Sequence, residues 1–331
     1  MAANKPAIRL MLEDGTDLAD KVNPRALELT LTEKRGGEAD ELSITLHNHD
    51  GRLAAPEPGK IIALALGWES GDDVVVGLVN KGRFKVDEVE ESGPPDIITI
   101  RARSADLTGD YSKRRTKSWK GTTLGAVIGA IAVRNKLTAR VHPDLASKPI
   151  EAIEQHGKSD MAFVRDLGRR YDAVATWKDR KLILMPIGSA STAGGKVIPS
   201  IALTRKAGWN WRFSRAERDD HDGAEAEWHD ADAGRRKKVN VGGGNRKKLK
   251  RVYASEAEAK QAATAAATKA KRSWTFEYDL AFADPSIQPN QPVNLTGWNN
   301  RVDAKKWLVE SIETSMRGSE GLVQRISLES A

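Results

Sequence analysis

Residues whose types and spacing could do chemistry occur at several places in this chain. His47 and His49 lie two apart, which puts both imidazoles on one face of an extended strand, and Asp50 could complete a divalent metal site. The run HNHDG reads more simply as a strand end entering an Asp-Gly turn. Asp219, Asp220, His221 and Asp222 offer oxygen and nitrogen ligands but lack the alternating Asp spacing of a calcium loop, so a solvated acidic loop is expected. Gly157-Lys158-Ser159 imitates the end of a phosphate loop, yet the required earlier glycine falls on Ala152. No Gly-x-Ser-x-Gly elbow supports a serine hydrolase, and a glycosidase-like pair cannot be nominated among 46 carboxylates. No cofactor site and no catalytic residue is assigned.

The strongest charge feature runs from Arg235 to Arg251, with nine cations and no acid, directly after eight acids between Glu217 and Asp232. One aromatic neighbour, Tyr253, is too few for the interleaved stacking platform of a single-strand nucleic-acid binder. The expected reading is an exposed, mobile loop over residues 215–251. Its cations Arg235, Arg236, Lys237, Lys238, Arg246, Lys247 and Lys248 are candidates for contact with an acidic partner. Charge is asymmetric along the whole chain. Residues 1–100 hold 11 basic against 19 acidic side chains, whereas the remainder holds 42 against 27.

The 331 residues suit two domains with an insert, and 39% apolar with 30% charged residues is ordinary for a globular chain. The longest apolar run, Leu124 to Val133, is far below the roughly 18 residues of a membrane span, so no stable membrane insertion is expected. Arg9 and Glu13 interrupt the apolar stretch near the start, which reads as a soluble, non-exported protein. Zero cysteines remove disulfides, thiolate metal sites and Cys nucleophiles together.

Residues 1–108 read as an antiparallel β module: Leu27, Leu29, Leu31 and then Leu42, Ile44, Leu46 alternate with polar neighbours, and turn residues recur at hairpin intervals. Residues 109–188 read as a mixed α/β insert. It has one helix from Leu124 with a Thr cap, a second after Ser159-Asp160, and a strand at Lys181 to Met185. Ser189 to Gly195 reads as a flexible joint. Residues 189–331 read as a second β module with a helix over 255–272, opened by Ser255 and Glu258 in capping-box spacing. Its clearest strand aligns Trp274, Phe276, Tyr278, Leu280 and Phe282.

The two β modules share an internal pattern. FKVDEVEES at 84–92 matches WLVESIETS at 307–315, each preceded by a Pro-led strand ending in Gly-Trp (Trp68, Trp298) and followed by a last strand at 97–102 or 322–329. Three elements matching in order indicate duplication. Two similar modules in a ring of three copies would present six similar units, joining a sixfold partner to a threefold one.

The sequence resembles the late control gene D tail proteins of contractile-tailed bacteriophages, which are related to baseplate hub proteins and to the N-terminal part of type VI secretion spike proteins. The resemblance rests on Leu42–Gly51, Leu66–Trp68, Lys81–Leu107, Ser118–Leu137, Ser159–Ala173 and Trp307–Glu329. It implies a mainly β fold with two tube-type β-barrel modules flanking the insert. It further implies a homotrimeric hub between the tail tube, or a tube-initiator protein, and the central spike, with neighbouring baseplate proteins around it. DNA would only pass through the lumen. Localisation would be the virion's tail baseplate, after assembly in the host cytoplasm. Phe84, Trp274, Phe276 and Trp307 are expected in the two cores. No bond is expected to be made or broken by the chain. The alternatives are a tail-associated cell-wall hydrolase using Asp160, Asp166 and Asp172, a peptidoglycan-binding tail-tip protein, and a nucleic-acid binder using the basic run.

Overall fold

The computed structural model describes residues 3–104, 111–178, 180–215, 221–318 and 321–331. In chain order it opens with β1 (Lys5–Leu12), α1 (Ala19–Val22), β2 (Ala26–Lys34), β3 (Glu41–His47), β4 (Ile61–Ser70), β5 (Gly77–Ser92) and β6 (Ile97–Ser104). Next come β7 (Arg114–Thr123), α2 (Leu124–Arg134), β8 (Thr138–Val141), α3 (Pro143–Ala146), β9 (Pro149–Ser159), α4 (Asp160–Tyr171), β10 (Ala173–Lys178) and β11 (Lys181–Pro186). The last part holds β12 (Ile201–Thr204), β13 (Gly208–Arg215), β14 (Gly223–Asp230), β15 (Arg235–Gly242), β16 (Arg246–Tyr253) and α5 (Glu256–Lys271). It ends with β17 (Trp274–Leu280), β18 (Pro292–Thr296), α6 (Asn300–Asp303), β19 (Trp307–Arg317) and β20 (Gly321–Ser330).

Period-two patterning does what the sequence suggests. Leu29, Leu31, Leu42, Ile44 and Leu46 point into one core with Ile62, Leu64, Leu66, Trp68 and Phe84. Leu27 departs from its stripe. The register slips between Ala26 and Glu28, and Leu27 is left 41% exposed. In the second module Phe276, Tyr278, Leu280, Trp307 and Val309 are buried. Phe282 lies past the end of β17 and stays exposed, edge-on to Trp68.

The duplication is visible in the topology. The first module pairs in the order β1-β4-β5-β6-β3-β2, and the second in the order β12-β18-β19-β20-β17-β13. Taking each module's strands in chain order, these are the same permutation. The segments matched in sequence fall on β5 with β19, β4 with β18, and β6 with β20. One direction differs, since β1 runs antiparallel to β4 whereas β12 runs parallel to β18. Among the described residues neither module closes on itself. The edge of β2 instead pairs antiparallel with β19, making one 12-stranded sheet.

Two compact units emerge. The first comprises the described residues of 1–106, 200–213 and 276–328; the second comprises those of 107–199, 214–275 and 329–331. The boundary expected at 188/189 therefore moves to 199/200. Ser191 bridges to Val197, and the Ser189 and Ser191 hydroxyls meet His142, so this segment is held within the second unit rather than serving as a joint. Residues 214–275, expected in the second β module, group with the insert. They fill the connection from β13 to β17, where the first module uses only residues 35–40 between β2 and β3.

Within the second unit, α2 and α4 form where the sequence places them, with the Thr123 and Ser159 hydroxyls accepting from Ala126 N and Ala162 N. Helix α5 starts at the expected Ser255 cap, whose hydroxyl accepts from Glu258 N. The Glu258 side chain does not complete a capping box. It is buried, bonded to Arg170 of α4 and accepting from Glu151 N of β9 at 3.0 Å. Trp274, expected in a core, is only partly buried, and Arg215 lies over its ring.

Candidate functional site

From residue 223 onward the charged segment is not a loop but three strands. Strand β14 sits between antiparallel β15 and parallel β16, so the acidic stretch is flanked on both edges by basic strands. Small apolar residues hidden among the charges explain this. Ala224 and Ala226 are fully buried against Ala259, Ala262 and Ala263 of α5, while Val239, Val241 and Leu249 cover the same cluster. On β14 the charged residues Glu225 and Glu227 alternate with those alanines, and opposite charges pair across the strands. Lys238 bonds Glu225 at 2.9 Å, Lys248 bonds Glu227 at 3.0 Å, and Lys237 bonds Asp230 at 2.5 Å. The Lys248 and Lys237 ammonium groups hold the Glu227 and Asp230 carboxyls below their ordinary range.

Of the seven candidate contact cations, Lys237, Lys238 and Lys248 are thus engaged within their own sheet. Arg235, Arg236 and Arg246 are exposed on its two outer strands, and so is Lys247, which also has a partner. The sequence run looked uniform because its internal partners lie on a different strand.

The carboxylates considered for hydrolysis are all paired with cations. Asp160 is fully buried, bonded to Arg134 at 3.0 Å, Asn135 at 2.9 Å and Gln155 at 2.8 Å. Asp166 meets Lys158 and Arg169, and Asp172 meets Arg272. Lys158 and Ser159, the phosphate-loop mimic, serve the ion pair with Asp166 and the α4 cap.

A Ser-His-Asp arrangement does occur, unforeseen from sequence, at His142. Its Nε2 lies 3.0 Å from Ser191 Oγ, and its Nδ1 lies 3.5 Å from Asp144 Oδ2. However, Nδ1 accepts the Asp144 backbone N–H at 3.3 Å, as the cap of α3. A neutral ring accepting at Nδ1 carries its proton on Nε2, and that tautomer donates to serine rather than deprotonating it. The arrangement caps a helix.

His47 and His49 do come together, Nδ1 to Nδ1 at 3.1 Å. Asp50 turns instead to Arg25, with bonds of 2.8 and 2.6 Å that hold its carboxyl far below the usual range. The third ligand is committed elsewhere. Asp219 and Asp220 lie outside the described residues, while His221 Nδ1 contacts Asn245 at 3.2 Å. Among the described residues no group of three or more metal-type ligands converges, and no helix is long and apolar enough to cross a membrane.

What remains is architecture with open strand edges. At the junction of the modules, Glu28–Lys34 of β2 pair with Arg317–Ser311 of β19. A buried ion pair between Lys81 and Glu33, at 2.6 Å, links β5 to β2 in the first module. Strand β13 ends the sheet and carries two exposed indoles, Trp209 and Trp211, which period-two reading alone did not single out. Gly208 lets β13 approach β17 closely, since a Cβ there would fall 2.0 Å from the Asp279 carbonyl oxygen.

Comparison with known proteins agrees with this architecture. The profile of the family described as phage tail baseplate hub (GPD) matches residues 41–320. A probable baseplate hub protein of Escherichia phage 186 is 34% identical over 367 residues, covering 98% of this chain and 92% of the relative. The crystal structure of the 43 kDa tail protein of prophage MuSo2 from Shewanella oneidensis superimposes with a TM-score of 0.68 at 17% identity, covering 98% of each chain. An Escherichia coli component of the type VI secretion system shares the fold with a TM-score of 0.56 at 11% identity, over 93% of this chain and 74% of that one. With an ordered repeat of β modules, a family match across most of its length and a hub relative aligned nearly end to end, the chain belongs to the phage tail baseplate hub (GPD) family, structural components of the virion's tail baseplate.

Proposed function

We propose that this hub works as a homotrimer whose two β modules per chain make a pseudo-sixfold ring, adapting a sixfold tail tube to a threefold central spike. The observation that carries the reading is the shared strand order of the two modules, joined through β2 and β19. A duplicated module in three copies supplies six similar rims for a tube, while the parts of the chain that are not duplicated occur three times, matching a spike. DNA passes through the opening, and the chain makes and breaks no bond. The exposed Arg235, Arg236 and Arg246 contact an acidic neighbour, such as the first module of another copy or an adjoining baseplate protein.

Native mass measurement of the hub, alone and in complex with the spike protein, tests this. Three copies in the complex are expected, and one or two copies in both states would overturn the ring. Purified protein is expected to leave cell-wall suspensions turbid; clearing would favour the hydrolase alternative.

A further inference from the structure

The junction inside the chain has a counterpart that the chain leaves open. Strand β19 is bordered by β20 on one edge. On its other edge β18 covers only Trp307 and Leu308, and β2 takes over from Ser311 to Arg317. The equivalent strand of the first module is β5, with Phe84 standing where Trp307 stands. Its β6 edge is filled, and β4 covers the other edge as far as Lys85, with Val86 bonded to Gly59 and Lys60. From Asp87 to Ser92, among the described residues, no strand lies on that edge.

The strand equivalent to β2 is β13. It pairs with β17 on one side and, among the described residues, ends the sheet on the other. An open edge bearing exposed indoles invites association unless something covers it, and Trp209 is 56% and Trp211 38% exposed. The two open edges also complement each other in charge. Exposed Glu88 and Glu90 of β5 share Arg101, at 2.9 and 3.2 Å. Arg212 of β13 is exposed, lying between Trp211, stacked on Phe276, and Phe213, edge-on to Trp307, so it points away from the core.

We propose that β13 of one copy adds, antiparallel, to the open Asp87–Ser92 edge of β5 in the next copy, rebuilding between chains the β2–β19 seam found within each chain. The occupant is a second copy of this protein because the missing strand's equivalent is already seated at the matching place in the other module. The contact is head-to-tail, so it propagates until a ring closes. This seam rests on the ring reading given above and specifies how its subunits join.

The chain has no cysteine, so introduced thiols report alone. Tail particles carrying Glu90→Cys together with Arg212→Cys, treated with a short bifunctional maleimide, should yield covalent hub dimers and trimers under denaturing conditions. Each single variant should stay monomeric, as should Arg9→Cys with Arg212→Cys, which moves one thiol to β1. Ser92→Cys with Asn210→Cys, opposite each other in the same antiparallel register, probes the same seam should the first pair impair assembly. A hub of three copies whose paired thiols stay uncoupled in both variants, or couple no better than the β1 control, overturns the seam and leaves the ring intact. One hub copy per tail overturns both.

Discussion

Arg317 donates from Nε to Glu28 at 2.9 Å, joining residues 289 positions apart at the point where one β module meets the other. Both side chains are largely exposed, so the pair itself is expected to be worth at most about 1 kcal/mol. Arg317→Ala should shift the unfolding midpoint only slightly, because the backbone ladder between β2 and β19 remains.

The contrast is Lys81 with Glu33, at 3% and 2% exposure. Removing Glu33 leaves an uncompensated buried ammonium, so Glu33→Leu alone should cost about 3–5 kcal/mol in denaturant unfolding. Lys81→Met combined with Glu33→Leu should recover most of that loss. A double variant as unstable as the single one would contradict this assignment.

Glu258 gathers β9, α4 and α5 through Glu151 N and Arg170. Glu258→Ala strands a buried guanidinium and is expected to destabilise the second unit by about 3–5 kcal/mol. Hydrogen exchange should show lost protection in α5 and β14 while β2 and β3 keep theirs.

Asp279 is held below its ordinary value of 3.8 chiefly by the hydrogen bond from Arg325. A carboxyl whose folded pKa is lowered contributes stability that is full above its unfolded pKa and is lost as pH falls through the folded value. Asp279→Asn should therefore narrow the stability difference between pH 6 and the acid range. Equal acid slopes in thermal melts of the two proteins would refute it.

For the charged sheet, Arg235→Glu with Arg236→Glu and Arg246→Glu is the informative reversal, since Lys237 and Lys238 hold Asp230 and Glu225 within their own sheet. Assembly with baseplate partners should weaken, with a reduced salt dependence, while the melting temperature changes little. Reversing Lys237 or Lys238 should lower stability first.

Much of the fold could be read from residue order. Strands β2, β3 and β17, the capped helices α2, α4 and α5, and the repeat linking Phe84 with Trp307 all follow from periodicity, caps and turn chemistry. The β14–β16 sheet was hidden because its buried positions are alanines and valines between charges, and its ion pairs join strands distant along the run. The regrouping of 214–275 was also hidden. Period-two patterning marks a strand but not the neighbour it pairs with, and Glu258 reaches Arg170 only through tertiary packing. The open edges of β13 and β5 were illegible for the same reason, since an unpaired backbone leaves no trace in side-chain types.

Strand β12 runs alongside β18 in the opposite sense to β1 alongside β4. The polypeptide thus arrives at the second copy of its ancestral pattern from the wrong end, having first travelled through the intervening body, and likeness between the halves stops at that outermost ribbon.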